Sequence, residues 1–137
     1  MILYEDLCGL PKELWMAAER AVPTRNDDMR NALVGCVIRR DDGVLVSSRN
    51  GSSRGQKNSS SHAEARCSRK ADVNSVAYVA RVRRDGSVGC ARPCKACRVQ
   101  MRSRGVTHVE FTLGPNSWGK MRLNDEAEQS WTNTRPV

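Results

Sequence analysis

Cys94 and Cys97, in the stretch ARPCKACRVQ, are the residues best equipped for chemistry in this chain. A CxxC pair supports three different activities. It can form a dithiol/disulfide couple, supply half of a four-cysteine structural zinc knot, or give two ligands to a catalytic metal. The spacing places both sulfurs on one side of the first turn of a helix, and a helix N-terminus favours the thiolate, the form that binds metal. A thioredoxin-type pair also follows a strand, so spacing alone leaves the redox reading open. A four-cysteine knot needs a second close pair, and Cys8, Cys36, Cys67 and Cys90 supply none. Cys8, Cys36 and Cys67 read as core residues, because a reduced cysteine packs as a small hydrophobe.

The chain has two histidines. His108 falls inside a β-rich run, where an ordinary sheet position explains it. His62 stands two residues before Glu64 in SHAEAR. His62, Cys94 and Cys97 together would leave the fourth tetrahedral position on zinc open for water, the mark of a catalytic site. Glu64 beside that water would be the general base. Ser61-His62-Ala63-Glu64 also fits an S-x-x-E capping box, in which Glu64 reaches back to a backbone N–H. Both roles stay open on the sequence.

These residues need elements to hold them. Pro11 to Val22 reads as a first helix, with Leu14, Trp15, Ala18 and Val22 as its apolar stripe and Pro23 as its stop. ALVGCVIRR and VLVSSRN form a hairpin around Asp41-Asp42-Gly43. The polar loop 51–61 leads into a second helix, HAEARCSRKAD, with Ser61 as its N-cap. SVAYVARVRRDG is a third strand. PCKACRVQMRSRG is a third helix, opened by Pro93 and closed by Gly105. VTHVEFT is a fourth strand, and WGKMRLN can return as a fifth, antiparallel one. The expected fold is one α/β domain over residues 1–137, a three-layer α/β/α arrangement on a mixed sheet, with a peripheral tail from about residue 124.

His62-Ala63-Glu64, then 28 residues, then Pro93-Cys94-Lys95-Ala96-Cys97 resembles the H-x-E…P-C-x-x-C signature of the zinc-dependent cytidine deaminase-like superfamily. The order of helices and strands from about residue 10 to 112 is similar to that family's layout. The resemblance implies Zn2+ held by His62, Cys94 and Cys97, and Glu64 shuttling protons between the activated water, the base and the departing amine. It implies that the Ala63 backbone N–H and the Asn50 amide contact the base or sugar, although Asn50 in RNG equally suits a turn. Residues around Ala91 and Arg92 would meet the amino group, with Arg92 standing where many relatives have Glu or Ser. Relatives are often dimers or tetramers, so a homo-oligomer is expected.

Charge bears on the substrate. The chain carries a net +8, and the stretch from Arg49 to Arg104 holds 14 Lys/Arg against three acids. That stretch includes the CxxC, which favours a phosphate-bearing partner. Only six aromatics are present, few for a strand-binding surface built on stacking. Trp15 and Phe111 read as core, and Trp118 as the residue best placed to stack on a base or to cover the sheet edge. An antiparallel return over 118–124 would look like the free-nucleoside branch of the family. The expected substrate is therefore cytidine, deoxycytidine or a monophosphate, with single-stranded DNA or RNA next. A non-catalytic zinc-stabilised nucleic-acid-binding module is the rival from another class. No apolar run approaches the ~20 residues of a membrane span, and the opening lacks the pattern of a signal peptide. A cytoplasmic protein with reduced thiols is expected.

Overall fold

In the computed structural model of the chain, residues 2–22, 33–50, 67, 71–123 and 131–134 are described. They form a mixed α/β structure. The first helix, α1 (Lys12–Ala21), follows a 3-10 turn at Tyr4–Leu7. The strands are β1 (Leu33–Arg39), β2 (Leu45–Arg49), β3 (Ser75–Val82), β4 (Val88–Gly89), β5 (Val106–Gly114), β6 (Ser117–Arg122) and β7 (Trp131–Thr134). A second described helix, α2 (Lys95–Ser103), joins β4 to β5. Among the described residues, no helix is long and apolar enough to cross a membrane.

The sheet runs β2-β1-β3-β5-β6-β7, with β4 paired to β3 off this path. Only β3 and β5 pair in parallel. Because β1 is antiparallel to both β2 and β3, the strands β2, β3 and β5 all point the same way. Their carboxyl ends share one rim of the sheet.

Side-chain alternation divides the molecule into two cores. Cys36, Ile38, Ala77, Val79, Val109, Phe111 and Met121 face α2, which contributes buried Cys97 and Met101. Val37, Tyr78, Ala80 and Val82 face α1, which contributes Leu14, Ala17, Ala18 and Ala21. A β-bulge at the β3–β5 start shifts the register, so that Val106 and Val109 turn to the same side. Thr107, the inserted residue, donates its hydroxyl to Ser75 O at 3.3 Å.

Several expectations hold. Asp41-Asp42-Gly43 makes the hairpin turn, with Gly43 at φ +86°. The return strand over 117–122 is antiparallel to β5. Gly105, at φ +103°, ends α2, and a Cβ there would stand 2.6 Å from Val73 Cα. Other expectations are corrected. Pro93 precedes the helix, whose N-cap is Cys94. Cys8 is exposed, whereas Cys36 and Cys67 are fully buried. Trp15 is half-buried, its ring centroid 6.0 Å from that of Tyr4. The polar tail adds β7 to the outer edge of β6. The expected second helix lies outside the described residues except at Cys67, which is helical, and at Ala71 and Asp72, which are not.

Candidate functional site

The chain from β4 to α2 is tied to the rim by one buried threonine. Thr112 Oγ1 accepts from Arg81 N at 3.2 Å and donates to Gly89 O at 2.7 Å. Its carbonyl accepts from Ala91 N at 2.8 Å. Thr112 has no solvent exposure, so all of its bonds are internal, and each replaces one to water that burial removed. Arg81, Gly89 and Ala91 are thereby gathered at the carboxyl end of β5. Cys94 follows Ala91 by three residues, a reach of at most about 11 Å.

Cys94 sits at the N-cap, with φ −73° and ψ 167°, and its carbonyl accepts the first helical bond from Arg98 N at 3.0 Å. Cys97 is then the third residue of the helix. The two cysteines therefore both belong to the first turn of α2. Their surroundings differ. Cys94 is exposed, whereas Cys97 is fully buried in the core under α2. Arg98 donates Nη1–H to Pro93 O at 3.0 Å, bracing the turn before the cap.

The donor set fits zinc in type. Two cysteines at one helix start, one lining the core and one facing out, supply two of the three ligands expected, and an open sheet places ligands beyond the carboxyl ends of its strands. The third expected ligand, His62, lies outside the described residues, as do Ala63 and Glu64. Among the described residues, no three His, Cys, Asp or Glu side chains gather closely enough to hold a metal.

Asn50 is at the same rim. Its backbone N–H donates to Val34 O at 3.1 Å, and its Oδ1 accepts from Val34 N at 3.1 Å. The side chain thus extends the β1–β2 ladder by one bond, which fixes Asn50 at the mouth. Ala91 is buried and Arg92 is exposed, and Pro93 separates them from the cap. The structure therefore brings Asn50, Ala91, Arg92, Cys94 and Cys97 to one rim.

Trp118 is not part of this group. It alternates with Met121, whose side chain enters the core under α2, and packs instead against the core under α1. Trp118→Ala is accordingly expected to cost about 2 kcal/mol of stability, a half-buried share of the usual 3–5. The affinity for a nucleoside should not change. Urea unfolding and a binding titration on the same variant check this, and weaker binding without lost stability would return Trp118 to the site. His108 is also on the α1 face, paired across the sheet with Arg122. Burial first, then Lys120 and Arg122, lower its pKa, which keeps the ring neutral. A neutral, half-buried ring on the far face is a sheet residue, as expected.

Thr112 was not singled out by its sequence context, which is that of any strand-end threonine. Arg81 and Arg83 were visible only as charge in ARVRR.

No family model matches the chain, and no curated protein matches it.

Proposed function

We propose that the chain is a zinc-dependent hydrolytic deaminase of a cytosine-type nucleoside or nucleotide, with a cytidine deaminase-like fold. One observation carries most of the weight. Cys94 and Cys97 share the first turn of α2, and the Ala91 N–H bond to Thr112 O ties the approach to that helix to the rim where β2, β3 and β5 end. Asn50 leaves this rim, and Cys67 lies on the sheet face that packs against Cys97. In sequence, these two residues bracket His62 and Glu64. The antiparallel β6 adds support, since that return is the feature expected of the free-nucleoside branch.

His62, Cys94 and Cys97 would hold the metal. Zinc bound there would lower the pKa of its water toward neutrality and so supply the attacking oxygen. Glu64 takes one proton from the water as its oxygen bonds the amino-bearing carbon, and delivers that proton to the adjacent ring nitrogen. It then takes the second proton from the added hydroxyl and gives it to the amine, so that the C–N bond breaks and ammonia leaves as the carbonyl forms. Asn50 and the Ala63 backbone N–H orient the base, and Ala91 and Arg92 wall the side where the amine departs.

The test is a deamination panel read by mass spectrometry on zinc-loaded protein. It offers cytidine, deoxycytidine, their monophosphates, adenosine, and single-stranded DNA and RNA, with Glu64→Ala as control. Conversion of a cytosine nucleoside or nucleotide, absent in the control, is the expected result. Retention of zinc and nucleic acid with no conversion of any substrate would replace this reading with a binding module.

A further inference from the structure

Arg81 stands near the carboxyl end of β3, and Arg83 begins the turn just beyond it. They lie together over Gly89. The Arg81 Cδ and the Arg83 Cζ and Nε all come within 3.5 Å of the place a Cβ on Gly89 would take. A glycine there leaves the backbone bare, and the two arginine side chains fill the space above it. Arg83 donates Nη1–H to Ser87 Oγ at 3.4 Å and to Val88 O at 3.3 Å, which anchors one edge of its guanidinium. Both side chains are exposed.

Two cations held side by side repel unless an anion lies between them. Of the acids around this turn, Asp85 accepts from Ser87 N at 2.9 Å and Ser87 Oγ at 2.6 Å, and Asp6 Oδ2 accepts from Val88 N at 3.1 Å. Among the described residues, neither arginine forms an ion pair within 4.0 Å. Paired guanidiniums present planar forks suited to a tetrahedral oxyanion. Thr112 ties the backbone of Arg81 to the same rim as Ala91 and the cysteine pair.

We infer that Arg81 and Arg83 form a phosphate subsite of the catalytic rim, so that the substrate is a cytosine mononucleotide rather than a bare nucleoside. The identity of the base rests on the function proposed above; the anion site does not. Phosphate binds against the solvent side of the two arginines, while the base reaches toward Cys94. Arg92, two residues before the cap, adds positive potential on the approach.

Calorimetric titration of the zinc-loaded protein with deoxycytidine, deoxycytidine monophosphate, inorganic phosphate and a short cytosine-containing oligonucleotide tests this without turnover. The monophosphate is expected to bind at least about 10-fold tighter than deoxycytidine, in line with a charge-assisted hydrogen bond. In Arg81→Ala that advantage should largely disappear, with deoxycytidine affinity unchanged. Arg81 is the cleaner probe, because Arg83→Ala also removes the bonds to Ser87 and Val88. Equal binding of nucleoside and monophosphate, or a preference that survives in Arg81→Ala and Arg83→Ala, would overturn the inference. An oligonucleotide bound tenfold tighter than the monophosphate, with a steep salt dependence, would overturn the mononucleotide assignment. An Arg81-dependent phosphate preference in a protein that deaminates nothing would retain the subsite and sink the deaminase. Deamination of deoxycytidine and its monophosphate at equal rates, unaffected by Arg81→Ala, would do the reverse.

Discussion

Glu64→Gln is expected to cut deamination at least about 100-fold while zinc content and folding stability stay at their original values. The choice of glutamine separates the two roles open to this residue. In a capping box, Gln replaces Glu at the third helical position and still reaches the N-cap backbone N–H. A residue that only caps is therefore rescued by glutamine. A carboxylate that must accept a proton and give it back is not, because a carboxamide has no such equilibrium near neutral pH. General acid–base catalysis is worth typically 10²–10⁴ in rate, and the loss should fall in that range. Cys94→Ala gives the complementary pattern. Removing one of three ligands should release the metal as well as turnover, whereas Glu64→Gln loses turnover alone. Zinc per chain by elemental analysis, a urea midpoint and a single-turnover assay on each variant distinguish the cases. Full activity in Glu64→Gln would leave the residue a helix cap and remove the general base from the mechanism.

The sequence was informative wherever one residue type had one physical use. Gly43 and Gly105 take positive φ where a turn and a helix end require it. The apolar runs VGCVI and VAYVA read as strands, and the structure buries both of their faces. The CxxC was equally plain, yet its position in the helix was read one step early, because Pro93 suits both the first helical residue and the one before the cap. β4 was invisible. Two residues that pair with β3 only where β5 has turned away leave no periodic trace. β7 was hidden in a polar stretch, since an outer edge strand can pair by backbone alone. Trp118 shows the limit of composition. A tryptophan after a strand can face either side, and only the register against β5 determines which. Arg81 and Arg83 show it again. They stand out only as charge, and their convergence depends on Gly89 from another strand.

Gly35→Ala is expected to be the most damaging single methyl group added to the sheet. A Cβ at this position would stand 2.0 Å from Ala17 O and 2.8 Å from Ala21 N. These are backbone atoms of α1, so no rotamer change can give way, and the helix must lift from β1 along its C-terminal half. Lifting separates α1 from the floor made by Leu33, Val37, Ala80 and Val82, and loosens the packing of Ala17, Ala18 and Ala21. Overpacking costs typically 1–3 kcal/mol, and occasionally more. With a rigid backbone as the obstacle, about 3 kcal/mol or more is expected, a large fraction of the 5–15 that a domain has. At this chain length that corresponds to a fall in Tm of roughly 10 °C. The close approach has a counterpart in sequence, since glycine inside an apolar strand marks a place where another backbone comes near. The damage should stay on its own face. Cys97 belongs to the core on the opposite side of the sheet, so the proposed zinc site should survive in folded Gly35→Ala and be lost only as the sheet unfolds. A thermal melt followed in parallel by metal release tests both parts. A Tm within about 2 °C of the original protein would mean that α1 slides freely on β1, and the tight helix–strand contact would not be what holds this face together.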